Sequence, residues 1–209
     1  MAIAFDASTQ GSTGGSPHSY SHTCTGTDRI LYVHIFLVGG ARTISAISYN
    51  SVAMTLVDSR INAGADSTAF LYRLVNPDSG SNTVSITFSA TFGVSVATSY
   101  TGAKQSGGVF VSGTGIGNPT VTIDITPNSA DNWIVMACGA DDQAPTAANS
   151  SFLRQVGANV AITAFDTNGG VSALTTMGAT SNIGVFAVAE SFEPSAGGVK
   201  LLTLLGVGV

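Results

Sequence analysis

The stretch Thr83–Ser89 alternates apolar and hydroxylated side chains, with Val84, Ile86 and Phe88 set between Thr83, Ser85, Thr87 and Ser89. Successive side chains on a strand point to opposite faces, so this pattern predicts a strand with one buried face. Arg29–Val38 is more demanding. Leu31, Val33, Ile35 and Leu37 are apolar on one face, while Ile30, Tyr32, Phe36 and Val38, with His34 among them, fill the other. A strand of this kind must be covered on both sides, either inside its own fold or by another chain.

Several further segments follow the same logic. Thr43–Asp58 reads as a hairpin about Asn50-Ser51, because Asn tolerates the left-handed conformation of a tight turn. Thr68–Val75 is a strand stopped by Asn76-Pro77-Asp78-Ser79-Gly80, where Pro lacks an amide donor and Gly permits positive φ. Thr120–Ile125 alternates, and Asn132–Gly139, with the single tryptophan Trp133, is apolar on both faces and reads as a second central strand. Val160–Asp166 and Val171–Thr176 are expected to form a hairpin about Asn168-Gly169, and Ile183–Phe192 closes the pattern. Ser8–Ser16 reads as a flexible Gly/Ser/Thr connector after a short apolar strand, and Ser106–Asn118 as a Gly-rich loop around a short strand Val109–Val111.

The fold class is therefore all-β, an antiparallel β-sandwich with short terminal extensions. A chain of 209 residues fits one such domain. The expected division is a strand and connector over 1–17, a single sandwich over 18–194, and an apolar tail over 195–209. Val199–Val209 carries Leu201, Leu202, Leu204, Leu205, Val207 and Val209 behind the hinge-like Pro194-Ser195-Ala196-Gly197-Gly198. A free apolar tail invites aggregation, so these six residues are expected to make an inter-subunit contact.

The chemistry of catalysis is hard to find. No Ser sits at a glycine-flanked elbow, no Gly-Lys-Ser/Thr phosphate loop occurs, and no Cys has a patterned His partner. Glu190 and Glu193 are three apart on an extended segment and point to opposite faces, which does not suit a glycosidase pair. Gly113-Thr114-Gly115-Ile116-Gly117 leads into Pro119 and a strand, where a dinucleotide loop needs a helix N-terminus. His18, Tyr20, His22 and Cys24 share one strand face, yet they lack the second cluster a zinc site draws on, and His34 stands alone. Asp141-Asp142-Gln143 and the acid Asp166 before Asn168-Gly169 are the only calcium-like groupings, and they read as a polar loop and a turn. No cofactor, metal or enzymatic activity is expected.

Charged residues make up only 9% of the chain, against roughly 25% in an average soluble protein, and the net charge is −5. Such a balance does not suit binding to nucleic acid, which draws on clustered Lys and Arg. It does suit a subunit of an ordered assembly, because few like charges hold the copies apart. Residues 1–15 hold neither a basic nor an apolar signal region, and no window supplies the eighteen or so apolar residues of a membrane span. The expectation is a protein made in a cytoplasm, with Cys24 and Cys138 as buried thiols.

The order Gly26-Thr27-Asp28-Arg29-Ile30-Leu31-Tyr32-Val33, Ile44-Ser45-Ala46-Ile47-Ser48-Tyr49, Ala53-Met54-Thr55-Leu56, Tyr72-Arg73-Leu74-Val75-Asn76-Pro77, Asn82–Ser89 and Ser99-Tyr100-Thr101-Gly102 resembles a β-sandwich module. That jelly-roll-like module recurs in phage and prophage virion proteins and in secreted bacterial multidomain proteins. The sequence departs from it at Asn50-Ser51, where the module has Gly-Gly, and at Lys104, where it has an acid. The resemblance implies a non-enzymatic bacteriophage virion protein, a capsid decoration or cement protein. Tail- or fibre-associated roles and a carbohydrate-binding or adhesion module are the alternatives. It also implies the major capsid protein or other virion proteins as partners, a homo-oligomer, by analogy a trimer, and location in the virion.

Overall fold

The structure is a computed structural model that describes residues 1–62, 64, 66–140, 143–158, 161–182 and 184–195. Its first nine strands are β1 (Ala4–Gly14), β2 (His18–Cys24), β3 (Ile30–Val38), β4 (Thr43–Tyr49), β5 (Val52–Ala53), β6 (Thr55–Asn62), β7 (Ser67–Val75), β8 (Gly80–Ser89) and β9 (Phe92–Thr101). Eight more follow: β10 (Val111–Gly117), β11 (Thr120–Ile125), β12 (Trp133–Ala140), β13 (Thr146–Asn149), β14 (Phe152–Val156), β15 (Ile162–Asp166), β16 (Thr175–Thr180) and β17 (Val185–Phe192). Every pairing among them is antiparallel, as in the expected all-β sandwich architecture.

The strands form four sheets. Sheet 1 is β2-β8-β4-β5, sheet 2 is β1-β9-β3-β7-β6, sheet 3 is β10-β17-β12-β15-β14 and sheet 4 is β11-β16-β13. Three separate cores lie between them. One joins sheets 1 and 2 through Leu31, Val33, Ile35, Tyr49, Phe70 and Ile86. The middle core joins sheets 2 and 3 through Tyr32, Phe36, Leu71, Trp133, Phe186 and Phe192. The last joins sheets 3 and 4 through Ile123, Ile134, Met136, Phe165 and Met177.

Residues 18–194, expected to make one sandwich, thus make parts of two. The physical reason is already in β3 and β12. Each is the middle strand of a five-stranded sheet and each is buried on both faces, so each sheet needs a cover on both sides. Two layers cannot supply that; four layers do.

The two sandwiches share one connectivity. Reading β10, β11, β12, β13, β14, β15, β16 and β17 for β1, β2, β3, β4, β6, β7, β8 and β9 converts sheet 2 into sheet 3 and sheet 1, apart from β5, into sheet 4. In each half the chain passes back and forth between its two sheets in the jelly-roll manner, apart from hairpins that stay within one sheet, β4–β5, β6–β7 and β14–β15. Local details repeat as well. Asp28 and Asp131 both take positive φ two residues before the central strand begins, at 53° and 62°. Ile30 pairs with Tyr100 just as Trp133 pairs with Phe192.

Four local expectations are corrected. Ser8–Ser16 is no connector: β1 runs on to Gly14 as an edge of sheet 2, paired with β9. Within Ser106–Asn118 the strand is β10, so the glycines at 113, 115 and 117 lie in it. A Cβ on Gly115 would lie 2.8 Å from the Thr122 carbonyl oxygen, and this close approach of β11 is what the small residue permits. The chain does turn at Asn168, but β15 and β16 belong to different sheets and form no hairpin. The Asn50-Ser51 turn is found, both residues at positive φ, but the hairpin expected over Thr43–Asp58 is shorter: Val52-Ala53 pair back on β4, and residues 55–58 cross to sheet 2 in β6.

Phe186 sits where the halves meet, fully buried, with its ring 5.9 Å from that of Phe36. Phe186→Ala is expected to cost about 3–5 kcal/mol. Because the middle core belongs to both sandwiches, Trp133 fluorescence and far-UV circular dichroism should still lose structure in one coincident urea transition. Two separated transitions would show that the halves fold independently.

Candidate functional site

Buried charge is concentrated where sheets 2 and 3 meet. Tyr32 donates to the Glu190 carboxylate at 2.9 Å, and Arg73 is ion-paired with the same group. Tyr100 donates to Asp166 at 3.0 Å, and the Arg154 Nε donates to the same oxygen at 2.5 Å. The backbone N–H and side chain of Asn168 complete this second cluster, the N–H donating to Asp166 and the side-chain oxygen accepting from Arg154. Each guanidinium also lies over a ring of the other half: Arg73 over Phe110 at 3.5 Å and Arg154 over Phe5 at 4.3 Å. Burial pushes the Glu190 carboxyl up to about 7 against the opposing pull of Arg73.

These carboxylates are spent on cohesion. Glu190 and Asp166 are buried, and each already accepts from a tyrosine and an arginine. Glu193 is held by Lys104 and Asn128, and the hydrogen bond from Lys104 keeps its carboxyl below the ordinary range. Asp141 and Asp142 lie outside the described residues.

His18, His22 and Cys24 face the core between sheets 1 and 2, with Tyr20 half-buried beside them. The His22 Nδ1 meets the Thr9 hydroxyl at 2.8 Å, and the His18 Nε2 meets the Gly14 carbonyl at 3.3 Å. His34 is fully buried on the opposite side of sheet 2, with Nε2 2.9 Å from the Thr98 hydroxyl. Among the described residues no group of three or more His, Cys, Asp or Glu is placed to hold a metal. Cys24 and Cys138 are free thiols in separate cores.

A surface cleft of about 550 Å³ opens at the end of the second sandwich. Its walls come from four distant parts of the chain: Met1–Ile3, Asp131 and Trp133, Gly169-Gly170, and Pro194-Ser195. The Met1 ammonium donates to the Ser195 carbonyl at 2.8 Å, and the Ser195 N–H donates to the Gly102 carbonyl at 2.6 Å. Gly102 is required there, since at φ +72° a Cβ would lie 2.1 Å from the Ala2 carbonyl oxygen. Asp131 is exposed and makes no ion pair among the described residues. A second recess of about 370 Å³ opens beside β4, lined by Ile44, Ile47, Met54 and Tyr72.

The six apolar residues expected to contact a neighbour, Leu201, Leu202, Leu204, Leu205, Val207 and Val209, lie outside the described residues. The chain leading to them leaves from the cleft wall at Ser195. No single stretch of sequence announces this cleft; the duplicated pattern is the signal that points to it, because Asp131 and Trp133 stand where Asp28 and Ile30 stand in the first half. No protein-family model, no curated protein and no solved structure matches the chain.

Burial drives the histidines down, His22 to about 4 and His34 to about 3. The folded protein therefore keeps them neutral where the unfolded chain binds protons, so their contribution is present above about pH 6.5 and is lost as pH falls toward 4. Glu190 acts the other way, holding a proton in the folded state up to about 7. Stability by urea titration should fall from pH 6.5 to 4.5, and Glu190→Gln, by removing the opposing proton, should make that fall steeper. A shallower fall in Glu190→Gln would contradict this assignment.

Proposed function

We propose that this chain is a non-enzymatic structural protein of a bacteriophage particle, a capsid decoration or cement protein that joins neighbouring subunits. The observation that carries the reading is a four-layer β-slab whose buried carboxylates are all committed to holding its halves together. Its outer faces match that role. On sheet 1 the outward residues are Ser19, Ser21, Thr23, Ser81, Thr83, Ser85, Thr87 and Ser89, without a charge among them. On sheet 4 they include Thr120, Thr122, Thr146 and Thr180, with Asp124 as the one charge, accepting from the Thr176 hydroxyl. Faces so poor in charge do little to repel a like neighbour.

In this reading the slab contributes stiffness and area, while Leu201, Leu202, Leu204, Leu205, Val207 and Val209 supply apolar burial against another subunit. The partners are the major capsid protein or further copies, with a trimer as the stoichiometry by analogy. A tail- or fibre-associated position draws on the same properties. A carbohydrate-binding module is the second reading, favoured by the cleft, where Trp133 and Asp131 stand side by side at about the size of a small-ligand site.

Particles purified by density gradient should contain the protein in stoichiometric amount, and labelled antibody should decorate the shell. Truncation after Gly198 should dissolve the oligomer. A protein absent from particles, or an oligomer and thermal stability unchanged by that truncation, would reject the reading; a glycan array with reproducible hits quenched by Trp133→Ala would favour the second.

A further inference from the structure

We propose that the Trp133 cleft is the seat of the C-terminal segment Val199–Val209 of a second copy of this chain. The inference rests on the assembly reading above and names the surface that receives the tail.

The duplication says what belongs there. At the matching end of the first sandwich the chain continues past β9 and closes the opening of the central strand. The Ala103 N–H donates to the Asp28 carbonyl at 2.8 Å, and the Gln105 side chain donates to the Arg29 carbonyl at 3.2 Å. At the end of the second sandwich the equivalent residue, Ser195, donates instead to Gly102 and is pinned by the Met1 ammonium. Asp131 and Trp133 are left facing the cleft.

The chemistry of the segment fits the cleft. Met1, Ile3, Trp133 and Pro194 give apolar walls, Ile3 and Trp133 showing only an edge at 6% and 8% exposure, and Asp131 is the one side-chain charge among them. Val199–Val209 is apolar but for Thr203 and a single charge, Lys200. Lys200 against Asp131 fixes the register and brings Leu201 and Leu202 onto Trp133.

A neighbour's tail suits the geometry better than the chain's own. The first sandwich is closed by residues one to four positions beyond β9. After Ser195 come Ala196, Gly197 and Gly198, which bring nothing larger than a methyl group, and Leu201 lies up to about 20 Å further along an extended chain. A spacer of this kind cannot fill the cleft it starts from. It gives the leucines reach, as in the exchange of identical segments between protomers.

Trp133 is the only tryptophan and stands where the middle core meets the cleft wall, so with the fold intact its emission follows the cleft. Two proteins are mixed: a chain ending at Ser195, which keeps Trp133 and all the described strands, and a full-length Trp133→Phe chain, which has the tail but no reporter. The truncated chain alone should be monomeric, with red-shifted emission and readier acrylamide quenching than the full chain. Adding the Trp133→Phe chain should reverse both changes, and a synthetic peptide of residues 196–209 should do the same should Trp133→Phe fold poorly. Asp131→Lys in the truncated chain should weaken this effect roughly fivefold, and Lys200→Glu in the donor should restore it. Emission that truncation does not alter, or that neither donor reverses, overturns the inference. If the full chain is still an oligomer that needs its tail, the assembly reading survives and only the cleft is wrong. If the full chain is monomeric at every concentration, both fall.

Discussion

The seam between sheets 2 and 3 is the contact on which everything else in this molecule depends. Either sandwich alone would leave one face of its five-stranded sheet in water, and that face carries Tyr32, Phe36, Leu71 and Val96 on one side and Trp133, Val135, Phe186 and Phe192 on the other. Burying it also encloses two carboxylates, which is costly unless each is paired and hydrogen-bonded. Both are. Glu190 reaches across the seam to Tyr32 and Arg73, while Asp166 takes Arg154 from its own half and Tyr100 from the other. Apolar packing makes the seam strong; the two polar clusters allow one alignment of the halves, because a shift along the strands would strand a charge in the core.

The duplication shows how such a seam can arise from like parts. By strand register Arg73 and Asp166 occupy equivalent places, each opposite its half's central strand, as do Thr98 and Glu190 on β9 and β17. Two identical halves would have set like against like. In this chain Arg73 and Asp166 have become opposite in charge and neutral Thr98 is matched in register by acidic Glu190, while the Arg–Phe stacks remain reciprocal, Arg73 on Phe110 and Arg154 on Phe5. One copy thus contains a dimer-like interface specialised on its two sides.

Much of this was legible, and the illegible part has definite causes. Alternation located β3, β7, β8, β11, β12 and β17 because burial on one or two faces leaves a direct imprint on residue type. The repeat was also written down, in Val96-Ala97-Thr98-Ser99-Tyr100 and Val188-Ala189-Glu190-Ser191-Phe192. It is faint because only inward positions resist change, and at position 98 against 190 even these diverged. The hairpin expected at Asn168-Gly169 failed for another reason: turn chemistry reports that the chain reverses, but not whether the next strand pairs back or crosses to another sheet. Glycines misled over β10, since they read locally as loop and in fact make room for β11. The cleft was the hardest part to read, since its walls are separated by most of the chain length and only the faint repeat points to it.

The same register explains why the acids should not be taken for a catalytic pair. A general acid and a nucleophile must both face a substrate, and at least one must be free to exchange its proton with it. Glu190 and Asp166 face the middle core, where Tyr32 and Tyr100 already fill the places a sugar hydroxyl would take. Exposing either would require parting the sheets, and with them the interface that holds both halves. Chemistry at this seam would therefore cost the fold itself.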